Sequence, residues 1–145
     1  MKVNAAMTTG VRVVGPNQTI REAAQLMSDE DIGSLPVGEN DRLIGMITDR
    51  DVAVRAVAQG LGPETPIRVV MSKEVLYCFE DEELEDAAQN MGAVQVRRLP
   101  VLSRDKRLVG VLSIGDLSRQ HDPRHVGNAV AQISSPGGAH SQAEH

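Results

Sequence analysis

Two short stretches of the chain carry the side chains best suited to bind a ligand. They are GMITDRD at residues 45–51 and GVLSIGD at residues 110–116. In both, a hydroxyl residue precedes an aspartate by three positions, as Thr48 precedes Asp51 and Ser113 precedes Asp116. A carboxylate can accept hydrogen bonds from the hydroxyl groups of a sugar, and the hydroxyl and N–H groups of a helix start can hold phosphate. The same spacing is that of a capping box, which needs no ligand. From spacing alone, both interpretations are open.

The elements that position these stretches occur twice. A shift of 64 residues aligns Leu35-Pro36-Val37 with Leu99-Pro100-Val101, and a shift of 65 aligns Gly45 with Gly110. The apolar pattern is shared around both motifs. The sequence therefore predicts a tandem duplication.

Each copy is predicted to be a mixed α and β unit (α+β) in the order strand, helix, strand, strand, helix. In the first copy these elements are residues 11–14, about 20–29 behind a Thr19-x-x-Glu22 capping box, 35–37, 43–47 and 49–58. In the second they are residues 75–79, about 83–91, 99–102, 108–112 and a helix from 114. Glycine and proline at residues 60–66 predict a linker. A further helix is expected at residues 123–133, before a polar tail predicted to be disordered.

Composition limits the classes of function. A net charge of −5, with one Tyr, one Phe and no Trp, argues against nucleic-acid binding through bulk charge or base stacking. No stretch is apolar enough to span a bilayer and no secretory leader is recognisable, so we expect a cytoplasmic protein without membrane contact. The single cysteine, Cys78, is expected to be a buried thiol.

Neither an enzyme nor a metal site is predicted. The chain shows no nucleophile, base and acid set and no phosphate-binding glycine loop, and its four histidines all lie beyond residue 120. His121 and His125 are spaced to share a helix face and could bind zinc with Asp122. Surface histidines are the simpler interpretation.

The two copies together resemble a pair of CBS domains, the family named after cystathionine β-synthase. The internal Leu-Pro-Val and the closing Gly-x-x-Thr/Ser-x-x-Asp carry the resemblance, which covers roughly residues 6–120 and is closest to small stand-alone members of the hypoxic-response type. It implies repeats at residues 1–60 and 67–121, related by a pseudo-two-fold axis within one structural domain. Residues 122–145 would form the additional helix and tail.

The resemblance also implies two clefts between the repeats, each suited to an adenine nucleotide. The first would combine Thr48, Arg50 and Asp51 with Val96, Arg97 and Arg98, and the second Ser113 and Asp116 with Ile32 and Gly33. Adenine would lie near Val11, Val13, Val75 and Tyr77. Because arginine grips phosphate oxygens in pairs, tighter phosphate binding is expected in the first cleft.

The predicted function is therefore a regulatory sensor. Its ligand would be AMP, ADP, ATP, NAD or S-adenosylmethionine, with no obligatory cofactor, and its output a change of shape or of affinity for an unidentified protein target. The alternative is a ligand-free interaction or scaffold module that acts through dimerisation. The resemblance implies a homodimer in which the helices after each aspartate pack against a second pair.

Overall fold

A computed structural model describes residues 1–120, 127 and 130–133 of the chain. The fold mixes helices and small sheets, as predicted. The helices are α1 Val3–Ala6, α2 Ile20–Glu30, α3 Ile67–Val70, α4 Leu84–Val94 and α5 Ile114–Gln120. The strands are β1 Ser34–Glu39, β2 Arg42–Thr48, β3 Cys78–Phe79, β4 Arg98–Leu102 and β5 Leu108–Ser113. A π-helical segment at Asp51–Ala56 leads into a 3₁₀ turn at Val57–Gln59.

The chain forms two compact units that do not follow the sequence repeats. The middle unit is Arg12–Val75, and the terminal unit combines Met1–Val11 with the described residues from Leu76 onward. The segment that leads into each repeat therefore packs on the other repeat. Repeat boundaries at residues 1–60 and 67–121 remain a prediction about the sequence.

In the terminal unit, β4 lies between β3, to which it is parallel, and β5, to which it is antiparallel. Val3 and Ala6 of α1 are buried in the same apolar core as Leu84, Met91 and Leu112. Backbone hydrogen bonds fix this leading segment in place, since the Val3 N–H donates to the Glu82 carbonyl at 2.9 Å.

In the middle unit, β1 and β2 form an antiparallel hairpin. Its turn residues Asn40 and Asp41 have φ of 56° and 62°, a left-handed pair that Asn and Asp tolerate better than most residues. Helix α2 begins as predicted, because Thr19 Oγ1 accepts a hydrogen bond from the Glu22 N–H at 3.1 Å. Ile67 and Val70 of α3 lie in this unit's core.

Both Gly-x-x-Thr/Ser-x-x-Asp motifs begin with glycine because another segment crosses their strand there. A Cβ atom at Gly45 would lie 2.8 Å from the Ser72 carbonyl oxygen, and one at Gly110 would lie 2.8 Å from the Thr8 carbonyl oxygen. Thr8 and Val111 exchange two backbone hydrogen bonds of 2.9 and 3.0 Å. The repeated glycine is thus a packing requirement of the crossing segments.

Several elements differ from expectation. Residues 11–14 do not form a strand, because only Val14 bridges to the sheet, at Val37. The strand expected at 75–79 is reduced to β3 for the same lack of partners. The helix expected at 49–58 is present, but it widens to π geometry from Asp51.

Helices α1 and α3 were not predicted, whereas α2, α4 and the two hairpins are confirmed. Of the expected helix at 123–133, residues 127 and 130–133 are helical. The rest of it, and the tail from residue 134, lie outside the described residues. Over residues 1–120, 127 and 130–133, no helix has the length and apolar character needed to cross a membrane.

Candidate functional site

The Thr48 loop closes on itself through a reciprocal pair of hydrogen bonds. The Thr48 N–H donates to Asp51 Oδ2 at 3.0 Å, and the Asp51 N–H donates to Thr48 Oγ1 at 3.0 Å. The other carboxylate oxygen, Oδ1, lies 3.9 Å from the Arg55 guanidinium, which is beyond hydrogen-bond distance. The Asp51 side chain is 16 % exposed. One oxygen of Asp51 therefore caps the helix, and the other can still accept a hydrogen bond.

The Ser113 loop has the same cap. The Ser113 N–H donates to Asp116 Oδ2 at 2.9 Å, and the Asp116 N–H donates to Ser113 Oγ at 3.2 Å. Here, however, Oδ1 also accepts from Thr8 Oγ1 at 3.0 Å and from Arg119 Nη2 at 2.5 Å. Asp116 is only 1 % exposed. Both of its oxygens are already engaged by the protein.

The residues at equivalent positions explain this difference. Thr8 corresponds to Ser72, whose hydroxyl donates to the Glu74 carbonyl at 3.4 Å instead of to the aspartate. Arg119 corresponds to Val54, which cannot donate a hydrogen bond and is 42 % exposed. The capping interpretation is confirmed for the inner oxygen of both aspartates. Among residues 1–120, 127 and 130–133, no group donates a hydrogen bond to the outer oxygen of Asp51.

The residues preceding each Leu-Pro lie beside the loop of their own unit. The Asp49 N–H donates to the Gly33 carbonyl at 2.9 Å, next to Ile32 and Thr48. A Cβ atom at Gly33 would lie 3.1 Å from Asp49 Oδ2. A carboxylate therefore lines this side of the Thr48 loop, which opposes a phosphate next to Gly33.

In the terminal unit the corresponding neighbours are basic. The Ile114 N–H donates to the Arg97 carbonyl at 3.1 Å, and Arg98 is paired with Ser113 across the sheet. Both arginine side chains are exposed, and no ion pair involves either one within residues 1–120. The structure thus brings Arg97 and Arg98 together with Ser113, and Ile32 and Gly33 together with Thr48. Their grouping into two clefts across the repeats remains a prediction.

The other predicted site residues are distributed over both units. Val96 is half-buried against the terminal core, and Arg50 is half-buried beside Asp49, whose Oδ1 accepts from the Arg50 N–H at 2.8 Å. The residues expected near adenine divide equally: Val11 and Tyr77 belong to the terminal unit, and Val13 and Val75 to the middle unit. Val13 and Tyr77 are 45 % and 40 % exposed, so both offer apolar surface.

Sequence reasoning missed the support beneath Tyr77. Its ring meets the Phe79 ring edge-on at 5.5 Å, and the Arg104 guanidinium covers Phe79 at 4.2 Å from the ring centroid. Arg104 also pairs with both oxygens of Asp81 at 2.9 Å. These hydrogen bonds lower the pKa of Asp81. The chain's one aromatic pair is therefore held in a defined orientation.

Two further features of the described residues bear on ligand binding. An open groove of about 690 Å³ runs beside the β1–β2 hairpin and contains Glu22 and Glu39 but no basic residue, so it does not favour phosphate. It includes none of the predicted site residues. Among residues 1–120, 127 and 130–133, no three His, Cys, Asp or Glu side chains converge as metal ligands. His121 and His125 lie outside the described residues.

Each unit combines a helix, an antiparallel strand pair and a capped hydroxyl–aspartate loop, and this duplicated architecture is that of a CBS-domain pair. The family model for the CBS domain matches residues 3–57 and 67–121. The chain belongs to this family.

The chain is similar to small CBS proteins over almost its whole length. It is 45 % identical over 133 residues to the CBS domain-containing protein YhcV of Bacillus subtilis, covering 91 % of this chain and 94 % of that one. It is 39 % identical over 133 residues to Hypoxic response protein 1 of Mycobacterium tuberculosis, with 90 % and 92 % covered. A crystal structure of Hypoxic Response Protein I with two coordinated zinc ions matches with a TM-score of 0.76 at 36 % identity, over 84 % and 100 % of the two chains.

Two other solved CBS structures contain adenosine compounds. The CBS domain pair of protein MJ0100, in complex with 5-methylthioadenosine and S-adenosyl-L-methionine, matches with a TM-score of 0.71 at 28 % identity, over 82 % of this chain and 94 % of that one. CBSX2 in complex with AMP matches with a TM-score of 0.72 at 26 % identity, over 81 % and 93 %. CBS pairs similar to this chain thus bind adenosine ligands both with and without phosphate.

Proposed function

We propose that this chain is a regulatory module that binds an adenine nucleotide or a related adenosyl compound, with a ribose hydroxyl donating to the outer oxygen of Asp51. One observation carries the proposal. Among residues 1–120, 127 and 130–133, no group donates a hydrogen bond to Asp51 Oδ1, whereas the equivalent oxygen of Asp116 accepts two.

The cap makes Asp51 suitable for this task. Hydrogen bonds with Thr48 hold the carboxylate in one orientation before any ligand arrives, so binding costs little ordering of the side chain. A hydrogen bond to a carboxylate is also stronger than one between neutral groups. The loop is therefore preorganised to accept a sugar hydroxyl.

The charges near the loops bear on the ligand's remaining groups. Arg50, in the same loop as Asp51, supplies positive charge for the phosphates of AMP, ADP, ATP or NAD. Asp49 beside Gly33 favours an uncharged or cationic group there, such as the sulfonium of S-adenosylmethionine. The ligand would act by shifting the balance between two shapes, or between free and partner-bound states, of a homodimer.

Titration of the full chain by calorimetry tests the proposal, with AMP, ADP, ATP, NAD and S-adenosylmethionine as probes. Asp51→Asn is the informative variant, since its amide oxygen can still accept from the Thr48 N–H while the other oxygen is lost. A hydrogen bond to a charged group contributes about 1.5–3 kcal/mol, so affinity should fall at least about tenfold.

Asp116→Asn is the matched control. It alters a carboxylate already bonded to Thr8 and Arg119, so we expect a lower melting temperature and ligand affinity within about twofold of the wild type. Equal affinity in Asp51→Asn and the wild type would contradict the role given to Asp51.

A ligand-free scaffold is the second candidate function. It is favoured by the exposed apolar residues Val54, Val57 and Val69 of the middle unit, which are 42 %, 67 % and 52 % exposed. If none of the five compounds binds the folded chain, and sedimentation shows a stable dimer, the scaffold is the correct interpretation.

A further inference from the structure

Two donors from different parts of the terminal unit converge on the outer oxygen of Asp116. Thr8 lies after α1, and Arg119 lies in the last turn of α5. The Thr8 hydroxyl donates to Oδ1 at 3.0 Å and the Arg119 guanidinium at 2.5 Å. Asp116 is the only charged or polar residue that is fully buried within residues 1–119.

The Thr8 hydroxyl occupies the position that a ribose hydroxyl would need. At the equivalent oxygen of Asp51, the Ser72 hydroxyl turns away and Val54 has no donor, so the position stays open. A ligand hydroxyl and the Thr8 hydroxyl offer the same hydrogen bond to the same atom. They must therefore compete.

We propose that Thr8 is a built-in occupant of the ribose position at Asp116, and that it restricts nucleotide binding in the wild type to the Asp51 loop. This inference rests on the proposed function. A nucleotide can bind at Asp116 only after the Thr8 hydroxyl has moved away.

Local geometry permits that movement without unfolding the segment. The Thr8 N–H donates to the Val111 carbonyl at 2.9 Å, and the Val111 N–H donates to the Thr8 carbonyl at 3.0 Å. These bonds involve no side-chain atom, so the segment remains attached while the hydroxyl rotates to another staggered position.

The surroundings identify the class of ligand that would enter. Arg97 and Arg98 lie beside Ser113, and a Cβ atom at Gly115 would meet the Arg119 guanidinium at 3.6 Å. Once Thr8 is displaced, the open position combines one carboxylate with nearby arginines. It suits a nucleotide that carries phosphate, such as AMP, better than an adenosyl compound that carries none.

The test uses the Asp51→Asn chain, in which binding at the Asp51 loop is weakened. Thr8→Ala removes the hydroxyl and leaves its position empty, while Thr8→Ser keeps the hydroxyl and serves as the control. In calorimetric titrations with AMP, adding Thr8→Ala to Asp51→Asn should tighten binding at least about tenfold, because a competing hydrogen bond to a carboxylate is gone. Adding Thr8→Ser should leave the affinity unchanged. Adding Asp116→Asn to Asp51→Asn/Thr8→Ala should abolish the gain.

The outcomes separate this inference from the proposed function. Equal AMP affinity with and without Thr8→Ala would overturn the occupant role, and a loss of wild-type binding on Asp51→Asn would still support the proposed function. Absence of AMP binding in the wild type and in every variant would overturn both. Thermal melts check that each variant is folded, and the backbone hydrogen bonds between residue 8 and Val111 are retained in all of them.

Discussion

Substituting Gly45 with alanine should measure how closely a neighbouring segment crosses the motif at residues 45–51. The new methyl group would lie 2.8 Å from both the Met71 sulfur and the Ser72 carbonyl oxygen, well inside the usual contact distance of about 3.5 Å. Met71 has a flexible side chain and can move away. The Ser72 carbonyl cannot, since Ser72 and Met46 are joined by two backbone hydrogen bonds of 2.8 and 3.0 Å.

The expected loss combines two effects. Overpacking of a filled site costs about 1–3 kcal/mol. Weakening a backbone hydrogen bond between Met46 and Ser72 adds about 0.5–1.5 kcal/mol. Gly45→Ala should therefore lower the free energy of unfolding by about 1.5–4.5 kcal/mol, a large part of the about 5–15 kcal/mol typical of a folded domain.

Urea unfolding followed by circular dichroism measures this loss as a lower midpoint with an unchanged slope. Gly62→Ala is the control, because a Cβ atom there meets nothing within 4 Å. It should be neutral or slightly stabilising, by up to about 1 kcal/mol. If Gly45→Ala unfolds within about 0.5 kcal/mol of the wild type, the crossing segment does not constrain this position.

Two predictions concern titrating groups. Burial raises the pKa of Cys78 from 9.0 to about 12, so the native thiol should resist Ellman's reagent at mildly alkaline pH. The free energy of unfolding should also fall as the pH rises from 9.0 to about 12, because the unfolded chain loses the thiol proton before the folded chain does. Urea melts at several pH values in this range would measure the decrease, and Cys78→Ala should make it smaller. Arg104→Gln should raise the pKa of Asp81 toward 3.8, which a carbon-detected NMR titration would report. The lowered pKa of Asp81 stabilises the folded state at pH values above the pKa of the unfolded chain, and this stabilisation is lost as the pH falls through the pKa of the folded chain. Arg104→Gln should therefore change the acid-unfolding profile. An unchanged profile would contradict the pairing of Arg104 with Asp81.

Local patterns predicted the fold well where the partners are close in sequence. The Thr19 cap, the apolar face of α2 and the polar turn between β1 and β2 each depend on residues a few positions apart. Helices α1 and α3 were missed because each has only four residues, too few to show a helical period. Their core contacts are made by Val3 and Ile67 with parts of the chain that sequence reasoning placed in the other repeat.

The sequence predicted the two hydroxyl–aspartate loops of the candidate site, but not that the outer oxygen of the aspartate has different partners in the two loops. Thr48 with Asp51, and Ser113 with Asp116, have identical spacing, so the sequence treats them alike. The inequality depends on Thr8, which lies 108 residues from Asp116. The alignment of the two copies places Val54 opposite Arg119. Only the structure shows that the Arg119 guanidinium reaches the Asp116 carboxylate.

The pairing of residues 1–11 with the second half of the chain has a consequence for synthesis on the ribosome. Val3 is wholly buried against a core that includes Leu84 and Leu117. At about 5–20 residues per second, Leu84 and Leu117 follow it by about 4–23 seconds. During that time this apolar segment is accessible to chaperones. The first part of the terminal unit to be translated is thus among the last to be buried.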